Sequence, residues 1–318
     1  MVDMVPFASR GTKLLVIPMV YYALMIRPWA SVFLLCASVA FAQDVVRQLA
    51  PGVYLRAGYR DRREPANCTW VVFRDYVVVL DGNFPWGARE ILPEIKRTTE
   101  KPIRYVFNTH YHGDHSYGNS LYVDQGAAVL SSLGTAEEMR TRGVAGWTNW
   151  HESHSLEGAR PEAASIAFSD RLVLDDGTQR VEFTRVGPGH TAGDSVAYLP
   201  KQKILVTGDL CVTWPFGNNV GDAAADYDGW LRALDRMATW DIDTVVPGHG
   251  PTGPVSVLRV QRDYLADMLA QVRAGIQAGK SADNLARTID LRKHGTIAND
   301  GAANETSIRA MYRHLSAR

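Results

Sequence analysis

The sequence predicts an α/β protein in which β-sheets and α-helices pack in layers. Three observations predict this class: short runs of β-branched and aromatic residues, amphipathic segments with helical spacing, and an alternation of the two along the chain. The 318 residues are 46% hydrophobic and 21% charged, which is typical of a globular protein with a sizeable buried core.

The amino-terminal stretch predicts a segment that directs export. Arg27 precedes an apolar run from Trp29 to Val39, and Ala40-Phe41-Ala42 then supplies the small residues of a cleavage site before Gln43. This layout is typical of a secretory signal peptide, and the apolar run is short for a membrane span.

The predicted signal peptide covers residues 1–42, and Met25 is a natural second start that would make residues 1–24 superfluous. The mature chain, 43–318, is then expected to form a single domain with C-terminal helices in a secreted or periplasmic protein. No stable membrane span is expected after signal cleavage. An uncleaved anchor over residues 14–42 is the alternative.

The first half of the mature chain predicts three strands, a helix, a fourth strand and the start of a second helix. The strands are rich in β-branched and aromatic residues, and the helix has Ile91, Leu92 and Ile95 on one face. The predicted strands are Val53 to Ala57, Thr69 to Phe73, Tyr76 to Leu80 and Ile103 to Asn108, and the helices are Ala88 to Thr98 and one that opens at Gly118 to Leu121.

The second half repeats this alternation after a segment, Gly134 to Phe168, that is interpreted as an insertion with helical character. Trp230 and Leu234 recur at helical spacing in one predicted helix, and Val260 and Tyr264 do so in a longer one. The predicted strands are Arg180 to Arg185, Ser195 to Leu199, Lys203 to Thr207 and Thr244 to Pro247, and the helices are Tyr227 to Thr239 and Val257 to Ala278.

A cluster of histidines directly follows the fourth predicted strand. His110 and His112 are two residues apart and can converge on one ion, while Asp114 and His115 follow a turn at Gly113 and can face a second ion. Imidazole and carboxylate are ligands that suit zinc, and also iron or manganese. A chance cluster of histidines on a solvated loop is the alternative interpretation.

Three further residues of ligand type also lie just past predicted strands. They are His190 in a Gly-Pro-Gly-His sequence, Asp209 in Thr-Gly-Asp, and His249 in Pro-Gly-His-Gly. The glycines beside them permit tight turns. Because four strand ends carry such residues, the sequence predicts that they converge on one metal centre.

These residues resemble the five motifs of the metallo-β-lactamase superfamily. The matching residues are Asp81, the loop His110-x-His112-x-Asp114-His115, His190, Asp209 and His249. The resemblance covers nearly all of the mature chain. It implies a four-layer αβ/βα sandwich, in which two mixed sheets lie face to face and helices cover their outer sides.

The resemblance also implies a role for each matching residue. It assigns one metal ion to His110, His112 and His190 and the other to Asp114, His115 and His249. Asp209 would bridge the two ions, which are expected to be zinc, with iron or manganese as alternatives. Asp81 would orient a ligand through a hydrogen bond.

The implied activity is hydrolysis of a small-molecule substrate by a water that two metals activate, with Asp114 orienting that water and moving its proton. Many β-lactamases of the superfamily have cysteine where this chain has Asp209. An exported hydrolase of an ester, lactone, thioester or amide is therefore expected, with β-lactam hydrolysis as the alternative. A metal-binding protein or a redox di-iron relative without hydrolytic activity is the alternative from another class.

Composition excludes several other classes. The 34 basic residues balance the 34 acidic ones, which argues against a protein that binds nucleic acid by neutralising phosphates. Three cysteines exclude a disulfide framework, and in the mature chain Cys68 and Cys211 either pair or remain isolated buried thiols. No site role is predicted for the other histidines, which are His151, His154, His294 and His314.

Overall fold

The computed structural model describes residues 46–58, 66–151, 156, 158–214 and 220–317. The predicted signal peptide and the cleavage site before Gln43 lie outside these residues. Within the described part of the chain, no helix has both the length and the hydropathy that crossing a bilayer requires.

The first sheet has seven strands that follow one another in chain order. The strands are β1 (Val46–Ala50), β2 (Val53–Arg56), β3 (Cys68–Val72), β4 (Val77–Leu80), β5 (Ile103–Phe107), β6 (Ala128–Ser132) and β7 (Ile166–Phe168). Strands β1 to β4 pair antiparallel, whereas β4 to β7 pair parallel. The carboxyl ends of β4, β5 and β6 therefore meet at one edge of this sheet.

The second sheet has five strands in the order β12-β11-β10-β9-β8. Their bounds are β8 (Arg171–Asp175), β9 (Arg180–Arg185), β10 (Ser195–Leu199), β11 (Ile204–Val206) and β12 (Thr244–Val246). The pairs are antiparallel except that of β11 with β12, which is parallel. This sheet, like the first, is mixed.

Helices cover the outer faces of both sheets. They are α1 (Pro85–Thr98), α2 (Gly113–Ser116), α3 (Asn119–Val123), α4 (Leu133–Glu138), α5 (Val144–His151), α6 (Tyr227–Met237), α7 (Ser256–Gln277), α8 (Ala282–Thr288) and α9 (Gly301–Ser316). A π-helical segment, Met139–Gly143, joins α4 to α5, and 3-10 turns occur at Gly208–Leu210 and Arg292–Ala298.

Three apolar cores separate four layers. The inner core joins the two sheets, and in it the rings of Phe107 on β5 and Phe183 on β9 lie 4.4 Å apart. A second core packs Ile91 of α1 against the first sheet, and a third packs Trp230 of α6 and α7 against the second sheet. This arrangement confirms the predicted four-layer sandwich, which buries apolar residues on both faces of each sheet.

The structure corrects one sequence prediction, for Val260, and decides between the two alternatives for the cysteines. Val260 is 44% exposed, because α7 turns Leu258, Tyr264 and Leu265 toward the core instead. Cys68 and Cys211 are both buried and free, so the structure supports isolated thiols over a disulfide.

Backbone hydrogen bonds join the two sheets at the edge where the predicted ligands lie. The Ser195 N–H at the start of β10 donates to the Thr109 carbonyl just beyond β5, at 2.9 Å. Within the second sheet, the Gly248 N–H beyond β12 donates to the Gly208 carbonyl beyond β11, also at 2.9 Å. The strand-end loops of both sheets thus form one continuous surface.

Candidate metal centre

Three histidines and one carboxylate form the first ligand group. Nδ1 of His112 lies 3.1 Å from Nε2 of His110 and 3.0 Å from Nε2 of His190. The Asp209 Oδ2 atom lies 3.6 Å from Nε2 of His190 and 4.0 Å from Nε2 of His110. All four ligand atoms are within 4.8 Å of one another, which is the spacing that one shared ion requires.

The second ligand group consists of Asp114, His115 and His249. The Asp114 Oδ2 atom lies 3.2 Å from Nε2 of His249 and 3.7 Å from Nε2 of His115. The other oxygen of Asp209, Oδ1, faces this group at 3.3 Å from His115 Nε2 and 3.1 Å from His249 Nε2. One carboxylate therefore presents one oxygen to each group.

Asp81 fixes the orientation of His115. Its Oδ2 atom lies 2.8 Å from Nδ1 of His115 and also accepts the Thr109 hydroxyl at 2.9 Å. Its Oδ1 atom accepts the Thr109 backbone N–H at 2.8 Å. Because Nδ1 of His115 donates to a carboxylate, the lone pair lies on Nε2, which points toward the ligand group.

Glycines allow the ligand loops to approach one another. Gly208 adopts a φ of +53°, and a Cβ atom there would overlap the Thr109 hydroxyl. A Cβ atom on Gly248 would overlap the Asp209 carboxylate and the Gly208 backbone. The close approach of the Asp209 loop to Thr109 on one side and to the His249 loop on the other therefore requires the absence of side chains at these two positions.

Asp222 supports His112 from outside the ligand groups, and the sequence did not predict it. Its Oδ2 atom lies 3.0 Å from Nε2 of His112, accepts the Tyr111 hydroxyl at 2.6 Å and pairs with the Arg142 guanidinium at 2.5 Å. A donor at Nε2 places the lone pair of His112 on Nδ1, the atom that faces His110 and His190.

Arg142 extends this network to the loop that carries His190. It lies in the π-helical segment and also pairs with Glu138 at 2.6 Å. Glu138 in turn accepts the backbone N–H groups of Ala192 and Gly193 at 3.2 and 3.1 Å. Part of the segment that was interpreted as an insertion therefore contacts the His190 loop directly, and π-helical segments frequently occur at functional sites.

The electrostatics of the two groups differ. Burial and the neighbouring His112 lower the pKa of His190 to about 3, and burial with the adjacent His115 and His112 holds the pKa of His110 well below its usual range. Both imidazoles are therefore neutral near pH 7, which is the form that ligates metals.

In the second group, burial by itself lowers the pKa of His249, but the Asp209 and Asp114 carboxylates outweigh it and raise the value to about 10. For His115, the nearby Asp114, Asp81 and Asp209 likewise outweigh burial and raise the pKa. This group therefore favours a positive charge, which either a proton or a metal ion supplies.

The donor set fits two metal ions. In the first group the ring nitrogens of His110 and His190 both point at the ring nitrogen of His112, and a cation between them satisfies all three lone pairs. Imidazole nitrogens with carboxylate oxygens are ligands that zinc accepts, and iron and manganese accept them as well. The residues present thus match the group that the resemblance implied.

Among the described residues, the ligands differ in their exposure to solvent. The side chains of His110, His115 and His190 are at most 1% exposed. In contrast, His112 is 18%, Asp114 21% and His249 11% exposed. A substrate therefore reaches the centre from the side of these three residues.

The comparison with protein families agrees with this geometry. Residues 61–249, more than half of the chain, match the family described as the metallo-β-lactamase superfamily. The chain belongs to this superfamily.

Two curated relatives show the range of the superfamily. The chain is 26% identical over 260 residues to a linear primary-alkylsulfatase from a Pseudomonas species, and this match covers 69% of this chain and 48% of the relative. It is 27% identical over 181 residues to a type 2 metallo-β-lactamase from a Bacillus species, and this match covers 56% of this chain and 63% of the relative. The chain thus spans about half the length of the first relative and less than two thirds of the second.

Solved structures support the fold. A metallo-β-lactamase from Pontibacter korlensis has a TM-score of 0.57 and 27% identity, and the match covers 70% of this chain and 98% of that one. A stereoselective inverting sec-alkylsulfatase from a Pseudomonas species has a TM-score of 0.66 with 18% identity, over 84% of this chain and 49% of that one. The second likeness concerns the fold alone.

The structure brings all seven predicted ligands together in two groups and places Asp81 against one of them. The other histidines lie elsewhere where the structure describes them. His294 pairs with Asp267 at 2.9 Å, and the ring of His314 lies 5.2 Å from that of Tyr227. The side chains of His151 and His154 are outside the described part of the chain.

Proposed function

We propose that the protein is an exported dinuclear zinc hydrolase that cleaves an ester, lactone, thioester or amide. The observation that carries this proposal is the Asp209 carboxylate, which directs Oδ2 to the group of three histidines and Oδ1 to the second group. A bridging carboxylate holds two ions at a short separation, and two-metal sites of this kind serve hydrolytic reactions.

Different residues of the chain would hold the metal ions, orient the attacking water and orient the ligating histidines. Zinc ions held by the two groups would polarise the substrate oxygen and lower the pKa of a water molecule. Asp114 is both buried enough to be held in place and accessible enough to meet water, so its carboxylate orients the attacking water and takes up its proton. Asp81 and Asp222 keep His115 and His112 in the ligating tautomers.

Hydrolysis of β-lactams is the second candidate function. The match with the Pontibacter metallo-β-lactamase, which covers nearly the whole of that chain, favours it. The carboxylate at Asp209 favours the first candidate, because a hard bridging oxygen differs from the thiolate of the β-lactamase-like pattern, a softer ligand for one zinc ion. Weak or absent β-lactam hydrolysis is therefore expected.

A metal analysis combined with a substrate panel tests the proposal. The purified full chain should contain about two zinc ions per chain, and an iron-loaded protein would instead favour the redox alternative. The panel consists of p-nitrophenyl esters, a γ-lactone, a thioester, an alkyl sulfate and a chromogenic cephalosporin. Turnover of the cephalosporin as fast as of the esters would overturn the assignment, and turnover of the sulfate alone would replace the substrate class.

Asp209→Ala and Asp209→Cys connect the panel to the bridging carboxylate. Alanine should remove most of the second zinc ion and lower turnover by about a hundredfold or more, as the loss of a principal electrostatic element does. Cysteine keeps a ligand but changes its character, and should shift the ratio of ester to β-lactam turnover. Full metal content and activity in Asp209→Ala would contradict the proposed role of the bridge.

A further inference from the structure

Trp214 lies beside the accessible part of the metal centre. Its ring centroid is 5.4 Å from that of His249, and the two ring planes make an angle of 35°. The indole is half-buried, so part of its surface faces solvent. An aromatic side chain thus borders the ligand on the side from which a substrate approaches.

The backbone holds Trp214 in this place. The preceding residue, Thr213, donates its backbone N–H to the His249 carbonyl at 3.0 Å and its hydroxyl to the Pro251 carbonyl at 2.7 Å. Gly250 adopts a φ of +91°, and a Cβ atom there would lie 2.7 Å from Cδ1 of the indole. The indole therefore packs directly on the backbone beside His249, in a position set before any ligand binds.

A cluster of aromatic rings also lies next to the helical turn that carries Asp114, but it is buried. Tyr117 lies one helical turn beyond Asp114, so the two residues share a face of the chain. Its ring is 5.1 Å from that of Trp147 and 6.2 Å from that of Phe84. The Tyr117 hydroxyl donates to the Gly143 carbonyl. Because the hydroxyl is bound there, the contacts of Tyr117 with the neighbouring aromatic side chains are made by its ring. These rings belong to a buried core cluster, so the partly exposed aromatic ring beside the accessible ligands is that of Trp214.

We infer that the Trp214 indole binds the apolar part of the substrate and selects esters with an aromatic or extended alkyl group over short, polar ones. This inference rests on the proposed function for the bond that is cleaved, but it concerns the group next to that bond. An ester carbonyl within reach of Asp114 and His249 places one of its substituents against the indole. Contact with a fixed ring then buries apolar surface with little loss of side-chain freedom.

The test compares Trp214→Ala and Trp214→Phe with the zinc-loaded wild type. Trp240→Ala is the matched control, because Trp240 also contacts an aromatic ring, Tyr198 at 5.5 Å, but precedes β12 at the edge opposite the ligands. The readout is the ratio of kcat/KM for p-nitrophenyl octanoate to that for p-nitrophenyl acetate. Zinc content is measured for each variant, so that loss of metal is separated from loss of substrate contact.

The wild type should prefer the octanoate, and Trp214→Ala should lower the ratio by about tenfold, mainly through KM. Trp214→Phe should recover most of the preference, and Trp240→Ala should leave it unchanged. A wild type that does not prefer the octanoate, or an unchanged ratio in Trp214→Ala with full zinc content, would overturn the inference.

A binding measurement separates this inference from the proposed function. Calorimetry with octanoate and acetate, the carboxylate products of these esters, needs no turnover. Tighter binding of octanoate that Trp214→Ala abolishes would support the role of the indole even if no ester were hydrolysed, and in that case the proposed function alone would fail. Equal loss of octanoate and acetate binding in Trp214→Ala would contradict the inference, because it indicates a general disruption of the centre.

Discussion

Replacing Asp222 by asparagine tests whether the network beside the centre holds His112 in its ligating orientation. The Oδ2 atom of Asp222 meets the Tyr111 hydroxyl at 2.6 Å, the Arg142 guanidinium at 2.5 Å and Nε2 of His112 at 3.0 Å. Asparagine keeps the shape of the side chain but removes its charge and replaces one acceptor oxygen with a donor. The three contacts therefore cannot all persist.

The size of the effect follows from the burial of these groups. A hydrogen bond to a charged group contributes about 1.5–3 kcal/mol, and breaking a buried ion pair costs about 3–5 kcal/mol. Asp222 is buried, but Arg142 is one-third exposed and retains Glu138 as a partner. Solvent screening thus lowers the expected loss in the free energy of unfolding to about 2 kcal/mol. Zinc affinity should fall about 10–100-fold, because the partner that orients a ligating histidine is lost.

Two measurements check this expectation: urea unfolding of the metal-free protein, and zinc affinity by competition with a chromophoric chelator. Asp228→Asn is the matched control, because Asp228 forms a 2.6 Å pair with Arg273 in which both side chains are about half exposed. Its free energy of unfolding should change by less than about 0.5 kcal/mol. Equal zinc affinity in wild type and Asp222→Asn would refute the reasoning, since His112 would then keep its orientation without the carboxylate.

Four further outcomes are expected. Asp81→Ala should weaken zinc binding in the second group about 10–100-fold, as measured by the same chelator competition, because His115 loses the acceptor at Nδ1. Burial raises the pKa of Asp194 to about 7, so this group stabilises the fold below its unfolded pKa and loses that contribution as pH rises toward 7. Between pH 5 and 7, the free energy of unfolding of Asp194→Asn should therefore rise relative to that of the wild type, by on the order of 1 kcal/mol per pH unit. A difference in the free energy of unfolding that stays constant over this range would contradict the raised pKa of Asp194. Chelation of zinc should lower the Tm, and an unchanged Tm in scanning calorimetry would argue against bound metal. Mass spectrometry of protein from the cell envelope should find Gln43 at the N-terminus, whereas a dominant species that begins at Met1 or Met25 would favour the anchor.

The ligand loops could be predicted because their signals are local. His110, Asp209 and His249 each lie three residues beyond the end of a short apolar strand. The glycines beside Asp209 and His249 mark the tight turns that these loops need. A hydrophobic run followed by a turn and a ligand is visible in the sequence without any knowledge of distant contacts.

Some strands were missed because their patterns are weak. β6 ends in Ser131 and Ser132, which are polar but fully buried, and the Ser132 hydroxyl donates to the Gly193 carbonyl at 2.5 Å. β8 has exposed residues at alternate positions, and only Leu172 and Leu174 face the inner core. Such strands are stabilised by partners far along the chain, which a short window of sequence does not contain.

The network around Asp222 could not be predicted for a related reason. Asp222 and His112 are 110 residues apart, and the sequence directly before Asp222, Gly-Asn-Asn-Val-Gly, contains neither a predicted strand nor a ligand motif. Arg142 reaches it from a π-helical segment whose sequence, Met-Arg-Thr-Arg-Gly, does not differ from that of an ordinary helix. The contact exists only because the packed layers bring these segments together.

Each ligand group is complete only when strand-end loops from both sheets are in place. The first group takes His110 and His112 from the loop after β5 of the first sheet and His190 from the loop between β9 and β10 of the second. The second group joins the same first loop to His249 after β12, and Asp209 contacts both groups. Each group therefore links one sheet to the other across the edge of the inner core. Because ligands that bind only the folded chain add their binding free energy to its stability, metal ions held by these groups would stabilise the association of the two sheets as well as the local loops.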